Sequence, residues 1–287
     1  MNKDLEIILN YLREKRGFDY RGYKPSMIQR RLMHRISATG CKDRTSYLQY
    51  LLGHSDELDR LVDTLTINVS RFFRNTLTFE YLAHKILPLI VQEKARLRDH
   101  SLRVWSAGCS FGEEPYSIAI LIKELFGKED FSLDLHIFGT DIDKGALKKA
   151  AAAVYPFESI KDVKYGLLKR YFTPVNAHGR KNEKTGEDFF QLVHEIRDAV
   201  TFSLYDMLDQ RTFAPPESIF GSFDMVFCRN LLIYFNIDHQ NIILDKLYHS
   251  LSNIGYLILG EAEIPALEYQ RHFKEMDTFY HVYQKRQ

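Results

Sequence analysis

Val104-Trp105-Ser106-Ala107-Gly108-Cys109-Ser110-Phe111-Gly112-Glu113-Glu114-Pro115-Tyr116-Ser117 is the stretch that decides the fold of this chain. An apolar, β-prone segment from Leu102 to Ala107 runs into a turn with two glycines. Two carboxylates and a proline follow, and then a helical pattern through Ile118, Ala119, Leu121 and Ile122. Strand, glycine turn and helix in this order form the first unit of an α/β nucleotide-type site, whose ligand lies beyond the carboxyl end of the strand. A phosphate cradle uses bare backbone N–H groups at a positive helix end, so Glu113 and Glu114 would repel a pyrophosphate there. They suit a cation, or a nucleoside-bearing ligand without phosphates.

Downstream of that stretch the pattern alternates. Strands are expected at Leu102–Ala107, Leu135–Thr140, Val200–Leu204, Phe223–Cys228 and Tyr256–Leu259. Helices are expected after the first strand, at Gly145–Ala153 and at Asp238–Leu251. Such alternation predicts an α/β fold with a mostly parallel, doubly wound sheet. Thr278 to Tyr283 alternates as an additional edge strand. The polar stretch from Val175 to Asp188, flanked by Phe189-Phe190-Gln191-Leu192-Val193, predicts an inserted hairpin or small subdomain with a mobile tip.

Upstream, no strand pattern appears before residue 100. Leu5, Ile8, Leu9 and Leu12 recur at helical spacing. A second helix is expected from Met27, with Ser26 as N-cap, Gln29 completing a capping box and Gly40 just past its end. Ile28, Leu32 and Ile36 make its apolar stripe, and Arg30, Arg31, His34 and Arg35 fall largely on the other side. Further helices are expected at Ser46–Leu52, at Glu57–Leu65 and over Thr78–Ala95, the last kinked at Pro88.

The 287 residues carry a net charge of +1, which predicts neither a nucleic-acid nor a membrane role. No apolar run approaches the ~18 residues of a membrane span. The start, Met1-Asn2-Lys3-Asp4-Leu5-Glu6, lacks a signal-peptide layout. Cys41, Cys109 and Cys228 show no CxxC spacing, so a reducing cytoplasm without disulfides or zinc is expected. Charge is uneven all the same: between Tyr20 and Cys41 stand Arg21, Lys24, Arg30, Arg31 and Arg35, and no acid.

Several motifs carry chemistry, each with a plainer competitor. Gly108-Cys109-Ser110-Phe111-Gly112 matches G-x-S-x-G, the nucleophile elbow of α/β-hydrolases. Here the motif follows the first strand, and two acids beside it would oppose an oxyanion, which argues against acyl transfer. G-x-G-x-x-G is absent, which disfavours a dinucleotide site. Asp141, at the end of the second strand, is placed to accept hydrogen bonds from vicinal ribose hydroxyls. Asp143 reads better as a helix N-cap. Arg229 and Asn230 leave a buried strand on its carboxyl side, towards the same cleft. The plainer role for Arg229 is to pair with a sheet-end carboxylate. Cys228 reads as inert packing. In Thr66-Ile67-Asn68-Val69-Ser70-Arg71-Phe72-Phe73-Arg74, the two phenylalanines suit a core, while Asn68, Ser70 and Arg74 suit a cleft lining.

Together these runs resemble the CheR family of chemotaxis receptor methyltransferases, which are S-adenosylmethionine (SAM)-dependent protein-glutamate O-methyltransferases. The likeness rests on Thr66-x-Asn68-x-Ser70-x-Phe72-Phe73-Arg74, Gly108-x-Ser110-x-Gly112-Glu113-Glu114-Pro115-Tyr116-Ser117, Thr140-Asp141-Ile142-Asp143 and Cys228-Arg229-Asn230-x-x-Ile233-Tyr234-Phe235. It spans nearly the whole chain in the same order. The resemblance implies a helical N-terminal domain over 1–75 with a basic substrate-docking helix, and a linker helix over 76–95. A Rossmann-like methyltransferase domain would cover 96–287, with a β-hairpin subdomain inserted at about 175–195. It further implies that Asn68, Ser70, Arg74, Ala107, Glu113, Asp141, Asp206, Met207, Arg229 and Asn230 line the SAM pocket. Arg74 and Tyr234 would lie nearest the transferred methyl. Arg30, Arg31 and Arg35 would dock the cytoplasmic methylation helices of chemotaxis receptors, and the inserted hairpin is a candidate grip for a receptor C-terminal tail. No metal is implied. Asp206 and the run Gly260-Glu261-Ala262-Glu263 depart from the family pattern, which leaves the role of Glu263 open. A non-catalytic regulator that binds SAM or S-adenosylhomocysteine is the competing reading within the same fold.

Overall fold

The computed structural model describes residues 3–16, 18–66, 70–126, 134–175, 188–209, 211–218 and 222–286. The chain divides into two compact units. One comprises Met1–Asn68 with Ile233–Gln240, the other Val69–Leu232 with Asn241–Gln287.

The first unit is helical: α1 (Lys3–Arg16), α2 (Pro25–Thr39), α3 (Arg44–Gly53) and α4 (Ser55–Leu65). Each turns one apolar stripe inward, so Leu5, Leu9, Ile28, Leu32, Tyr47, Leu51 and Leu61 form a shared core. Helix α2 starts earlier than its sequence suggests. Pro25 occupies the first turn, where a missing N–H costs nothing, and Lys24, not Ser26, is the cap residue, with no side-chain cap bond. Gly40 ends the helix in the left-handed conformation, at φ 73°. The capping box lies instead on α3, between Asp43 and Ser46. The segment Ile233–Gln240 completes this unit. Lys24 donates its N–H to the Tyr234 carbonyl (2.9 Å), Asn236 to that of Gly22 (3.0 Å), and the Tyr23 and Phe235 rings lie 4.7 Å apart.

The second unit opens with α5 (Thr76–Tyr81), a π turn (Leu82–Ile86) and α6 (Leu87–Leu97). The helix expected as a linker over 76–95 is instead part of this unit's core, because Phe79, Leu82, Ile86, Leu87 and Ile90 are buried against the sheet. Pro88 lacks an N–H and crowds the carbonyl four residues back. The helix accommodates it with a wider turn, in which the Leu87 N–H bonds the carbonyl of Leu82.

Then come β1 (Ser101–Ala107), α7 (Glu113–Phe126), β2 (Asp134–Asp141) and α8 (Lys144–Ala152). An insertion follows: β3 (Val154–Pro156), α9 (Phe157–Ile160), α10 (Tyr165–Tyr171), β4 (Phe172–Pro174), β5 (Phe189–Leu192) and α11 (His194–Arg197). Its strands form a separate antiparallel sheet in the order β3-β5-β4, so the insertion begins about twenty residues before the expected hairpin. The predicted mobile tip, at 176–187, lies outside the described residues. The chain returns through β6 (Val200–Leu204), β7 (Phe223–Cys228), a 3-10 turn (Leu232–Tyr234), α12 (Ile237–Ser250), β8 (Leu251–Leu259), α13 (Leu267–Gln270), β9 (Phe273–Asp277) and β10 (Val282–Lys285).

The main sheet runs β6-β2-β1-β7-β8-β10-β9. Its first five strands are parallel, and β10 alone runs antiparallel, between β8 and β9. Strand β7 is buried along its whole length, as a strand covered on both faces must be. The expected edge strand over Thr278–Tyr283 is corrected on two counts. Residues 278–281 form the turn of a hairpin, and β10 lies between β8 and β9 rather than at the edge. Strand order reverses between β1 and β7, and ligands of open α/β sheets bind beyond the carboxyl ends of the strands at such a point.

Candidate active site

The loop after β1 is made by three residues with positive φ: Gly108 (74°), Ser110 (53°) and Gly112 (89°). A Cβ on Gly112 would stand 2.9 Å from the Ala150 Cβ and 3.0 Å from the Phe202 ring, so only glycine lets α7 start this close to α8 and β6. Gly108 and Cys109 both donate to the Thr140 carbonyl (2.8 and 2.9 Å), which fastens the loop to the end of β2. Ser110 donates its main-chain N–H to Asp141 Oδ2 at 2.8 Å, and its side chain is buried.

The two consecutive glutamates have different surroundings, because neighbours on a helix point about 100° apart. Glu113 is 1% exposed. The hydroxyls of Ser70 and of Ser159 in α9 favour its ionised form, while its Oε2 has no hydrogen-bond partner among the described residues. Burial pushes its pKa up to about 7. Glu114 turns to the sheet, accepting from Ser106 Oγ (2.7 Å) and from Arg229 Nη1 (3.1 Å). One acid is thus neutralised by an internal cation, and the other has an oxygen left for a ligand.

Asp141 accepts from Ser110 through Oδ2 and from the Asp143 N–H (3.0 Å) through Oδ1. Each carboxylate oxygen keeps a further lone pair, so the group is oriented without being used up. Burial raises its pKa as well. Asp143 caps α8, accepting from Gly145 (2.7 Å) and Ala146 (3.1 Å), as its sequence predicts. Beyond β6, Asp206 folds back to accept from the Leu208 N–H (2.8 Å), and Met207 is buried beside it. Lys246 of α12 supports this loop from behind. It is 2% exposed, donates to the carbonyls of Asp206 and Asp209, and lies 4.6 Å from the Tyr205 ring centre. Burial lowers its pKa to about 8.

At the end of β7, both terminal nitrogens of the Arg229 guanidinium are bonded inside the protein, while its buried Nε has no partner among the described residues. Besides Glu114 the guanidinium serves the Arg74 carbonyl (2.9 Å) and Asn75 Oδ1 (2.8 Å) through Nη2. The plainer sequence reading of Arg229, pairing with a carboxylate at the sheet end, therefore describes its side chain. Asn230 takes a left-handed φ of 59° and donates its N–H to Glu263 Oε2 at 2.7 Å. The same oxygen accepts from Gly260 (2.8 Å), which gives Glu263 a structural role that the sequence left open. Ala107 ends β1, buried.

The structure gathers Ser70, Ala107, Glu113 and Asp141 around the glycine loop. Asn68 lies outside the described residues. Tyr234 belongs to the helical unit, where the Arg31 guanidinium lies 5.9 Å from its ring centre. The proposed docking arginines divide. Arg30 is exposed. Arg31 donates to the Thr64 carbonyl (2.9 Å), and burial lowers its pKa. Arg35 is paired with Glu57, their side chains 17% and 1% exposed, and Tyr47 donates to the same carboxylate (2.8 Å). Arg31 and Arg35 thus pin α2 to α4. Sequence reasoning missed the roles of Ser159, Glu114, Lys246 and Ser117. Only Ser117 left a local signal, standing one helical turn past Glu113, whose carbonyl accepts from its Oγ at 2.6 Å.

A switch point that holds a buried carboxylate incompletely bonded among the described residues is adverse to phosphates and suited to a ligand cation. The comparisons with known proteins agree. Residues 68–282 match the family described as "CheR methyltransferase, SAM binding domain", and residues 3–66 match "CheR methyltransferase, all-alpha domain". The fold and site define a Rossmann-like, SAM-dependent methyltransferase. The chain is 30% identical, over 94% of its length and 90% of the relative's, to chemotaxis protein methyltransferase 2 of Vibrio cholerae. It is 32% identical to the chemotaxis protein methyltransferase of Salmonella typhimurium, over 89% of its length and 82% of the relative's. The chain belongs to the CheR methyltransferase family. Among the described residues, no helix is long and apolar enough to cross a membrane.

Proposed function

We propose that this protein methylates glutamate side chains of chemotaxis receptors in the cytoplasm, giving glutamate methyl esters and S-adenosylhomocysteine. The observation that carries the reading is Glu113, a nearly fully buried carboxylate at the switch point of the sheet, one oxygen of which is unpartnered among the described residues. It suits the ammonium of an amino-acid-bearing cofactor. The relatives from Vibrio cholerae and Salmonella typhimurium, matched over most of their length, are named as chemotaxis protein methyltransferases, which supports receptors as the substrate class.

SAM supplies a methyl group on a cationic sulfonium, a leaving group that requires no protonation. A glutamate acceptor is already ionised at neutral pH, so no general base is required of the protein. The protein's task is alignment and exclusion of water, and alignment alone can be worth roughly 7–11 kcal/mol. Glu113 would hold the ammonium and Asp141 the ribose hydroxyls. Ala107, Met207, Asp206 and the Asn230 main chain would line the rest. The Arg74 side chain would orient the incoming carboxylate as a charged donor. Tyr234 is the second candidate for that role, on its sequence motif. Exposed Arg30 would face the acidic methylation helices, and the inserted subdomain is the proposed seat of a receptor tail.

Arg74→Ala and Tyr234→Phe are expected to lower turnover on a receptor fragment about a hundredfold or less, with S-adenosylhomocysteine affinity nearly unchanged. Equal losses in turnover and affinity would contradict the orienting role. Calorimetry on Asp141→Ala tests the ribose assignment: undiminished affinity would refute it.

A further inference from the structure

We infer that Arg229 is a positioning residue for Arg74, acting on the turn that presents it. The inference rests on the reading of Arg74 as the group that orients the acceptor carboxylate. Arg74 lies between two non-glycine residues in the left-handed region, Phe73 at φ 51° and Asn75 at φ 61°. Asparagine tolerates this region, but phenylalanine does not, so the Phe73 conformation is held by its surroundings.

The ties are explicit. Phe72 donates to the Ser159 carbonyl (3.1 Å), Phe73 to Ser117 Oγ (2.9 Å), and Thr78 to the Asn75 carbonyl (2.8 Å). Arg229 reaches the residue itself: one nitrogen serves the Arg74 carbonyl and the Asn75 side chain together. Its own place is fixed by Glu114 at 3.1 Å and by the Phe79 ring, 5.6 Å from the guanidinium carbon. Glu114 is held in turn by Ser106 of β1. A chain of contacts thus runs from the sheet, through the second glutamate of the loop, to the main chain of Arg74. The Arg229 side chain is 2% exposed, so this is its environment rather than a transient contact. A planar fork can serve three acceptors at fixed angles, whereas a lysine ammonium on a flexible stem cannot hold the same set.

The test uses the full chain as Arg229→Lys, Arg74→Ala and the double variant. Turnover and KM on a receptor fragment are measured with S-adenosylhomocysteine affinity and amide exchange over residues 72–78. Arg229→Lys is expected to lower kcat about tenfold with little change in KM or in cofactor-product affinity. Exchange over 72–78 should rise about tenfold. In the Arg74→Ala background the same substitution should lower kcat by less than about twofold, because the two residues act as one unit. Unchanged exchange over 72–78, or independent losses that multiply, would overturn the inference. So would a loss of S-adenosylhomocysteine affinity matching the loss of kcat, which would make Arg229 a direct ligand. Undiminished turnover in Arg74→Ala alone would refute the role given to Arg74 above, while the exchange measurement still judges the clamp. Glu114→Gln, which keeps the side chain's shape, should reproduce the exchange and kcat effects in weaker form if Arg229→Lys folds poorly.

Discussion

Among the described residues, one Glu113 carboxylate oxygen has no hydrogen-bond partner in a nearly fully buried position, a costly state for a charge. The protein lowers that cost by holding the proton: the pKa rises to about 7 from an ordinary 4.5. Retention of a ligand ammonium requires the ionised form. Affinity for SAM or S-adenosylhomocysteine should therefore increase as pH rises from 6 to 8 and level off above, with a proton released on binding below pH 7. Calorimetry in buffers of different ionisation heat measures that proton, and Glu113→Gln should flatten the profile and weaken binding at pH 8. The stability sign is the reverse. A carboxyl with a raised folded pKa contributes stability that is fully present below its unfolded value and lost as pH rises through 7. Glu113→Gln should accordingly raise the thermal stability of the ligand-free protein at pH 8, by about 1–3 kcal/mol. A lower melting temperature at pH 8 would count against the buried-charge account.

Helix α2 shows what charge patterning can and cannot reveal. The arginines were legible as a basic face, yet Arg35 finds Glu57 across the helix pair and Arg31 finds the end of α4. Removing one partner of a buried pair strands the other, so Arg35→Ala should cost about 3 kcal/mol, read as a lowered denaturation midpoint. Arg30→Glu should leave the midpoint unchanged and slow methylation of a receptor fragment more at low salt than at high salt. Among the strands, β7 was legible because a continuous apolar run marks a strand buried on both faces, whereas edge strand β6, Val200-Thr201-Phe202-Ser203-Leu204, was legible by its alternation. Three-residue β3 and β4 carry too little pattern to stand out, and β9, Phe273-Lys274-Glu275-Met276-Asp277, has charged residues at three of five positions with no apolar alternation. Glu113, Asp141 and Asp143 were legible because each ends a strand or starts a helix, where local order fixes position. For Arg229 the pairing with a carboxylate was legible but not the identity of its partners, which lie 115, 154 and 155 residues away in the chain.

At the scale of the whole molecule, chain order and spatial unit part company at residues 233–240, which pack with the N-terminal helices although the α/β unit flanks them in sequence. Phe235 is buried against Tyr23. Phe235→Ala should therefore destabilise the helical unit by about 3 kcal/mol, with faster amide exchange in α1 and α2 than in the main sheet. Equal effects in both units would contradict the division. Family membership assigns the cofactor and the class of reaction, and the acceptor is the part still proposed. The most direct measurement of that proposal is transfer of labelled methyl from SAM to a purified receptor cytoplasmic fragment, followed by treatment with mild alkali. The account predicts label on glutamate that alkali releases as methanol, because a carboxylate acceptor gives an ester. Label that resists alkali, or tight S-adenosylhomocysteine binding with no transfer to the receptor fragment, would contradict it.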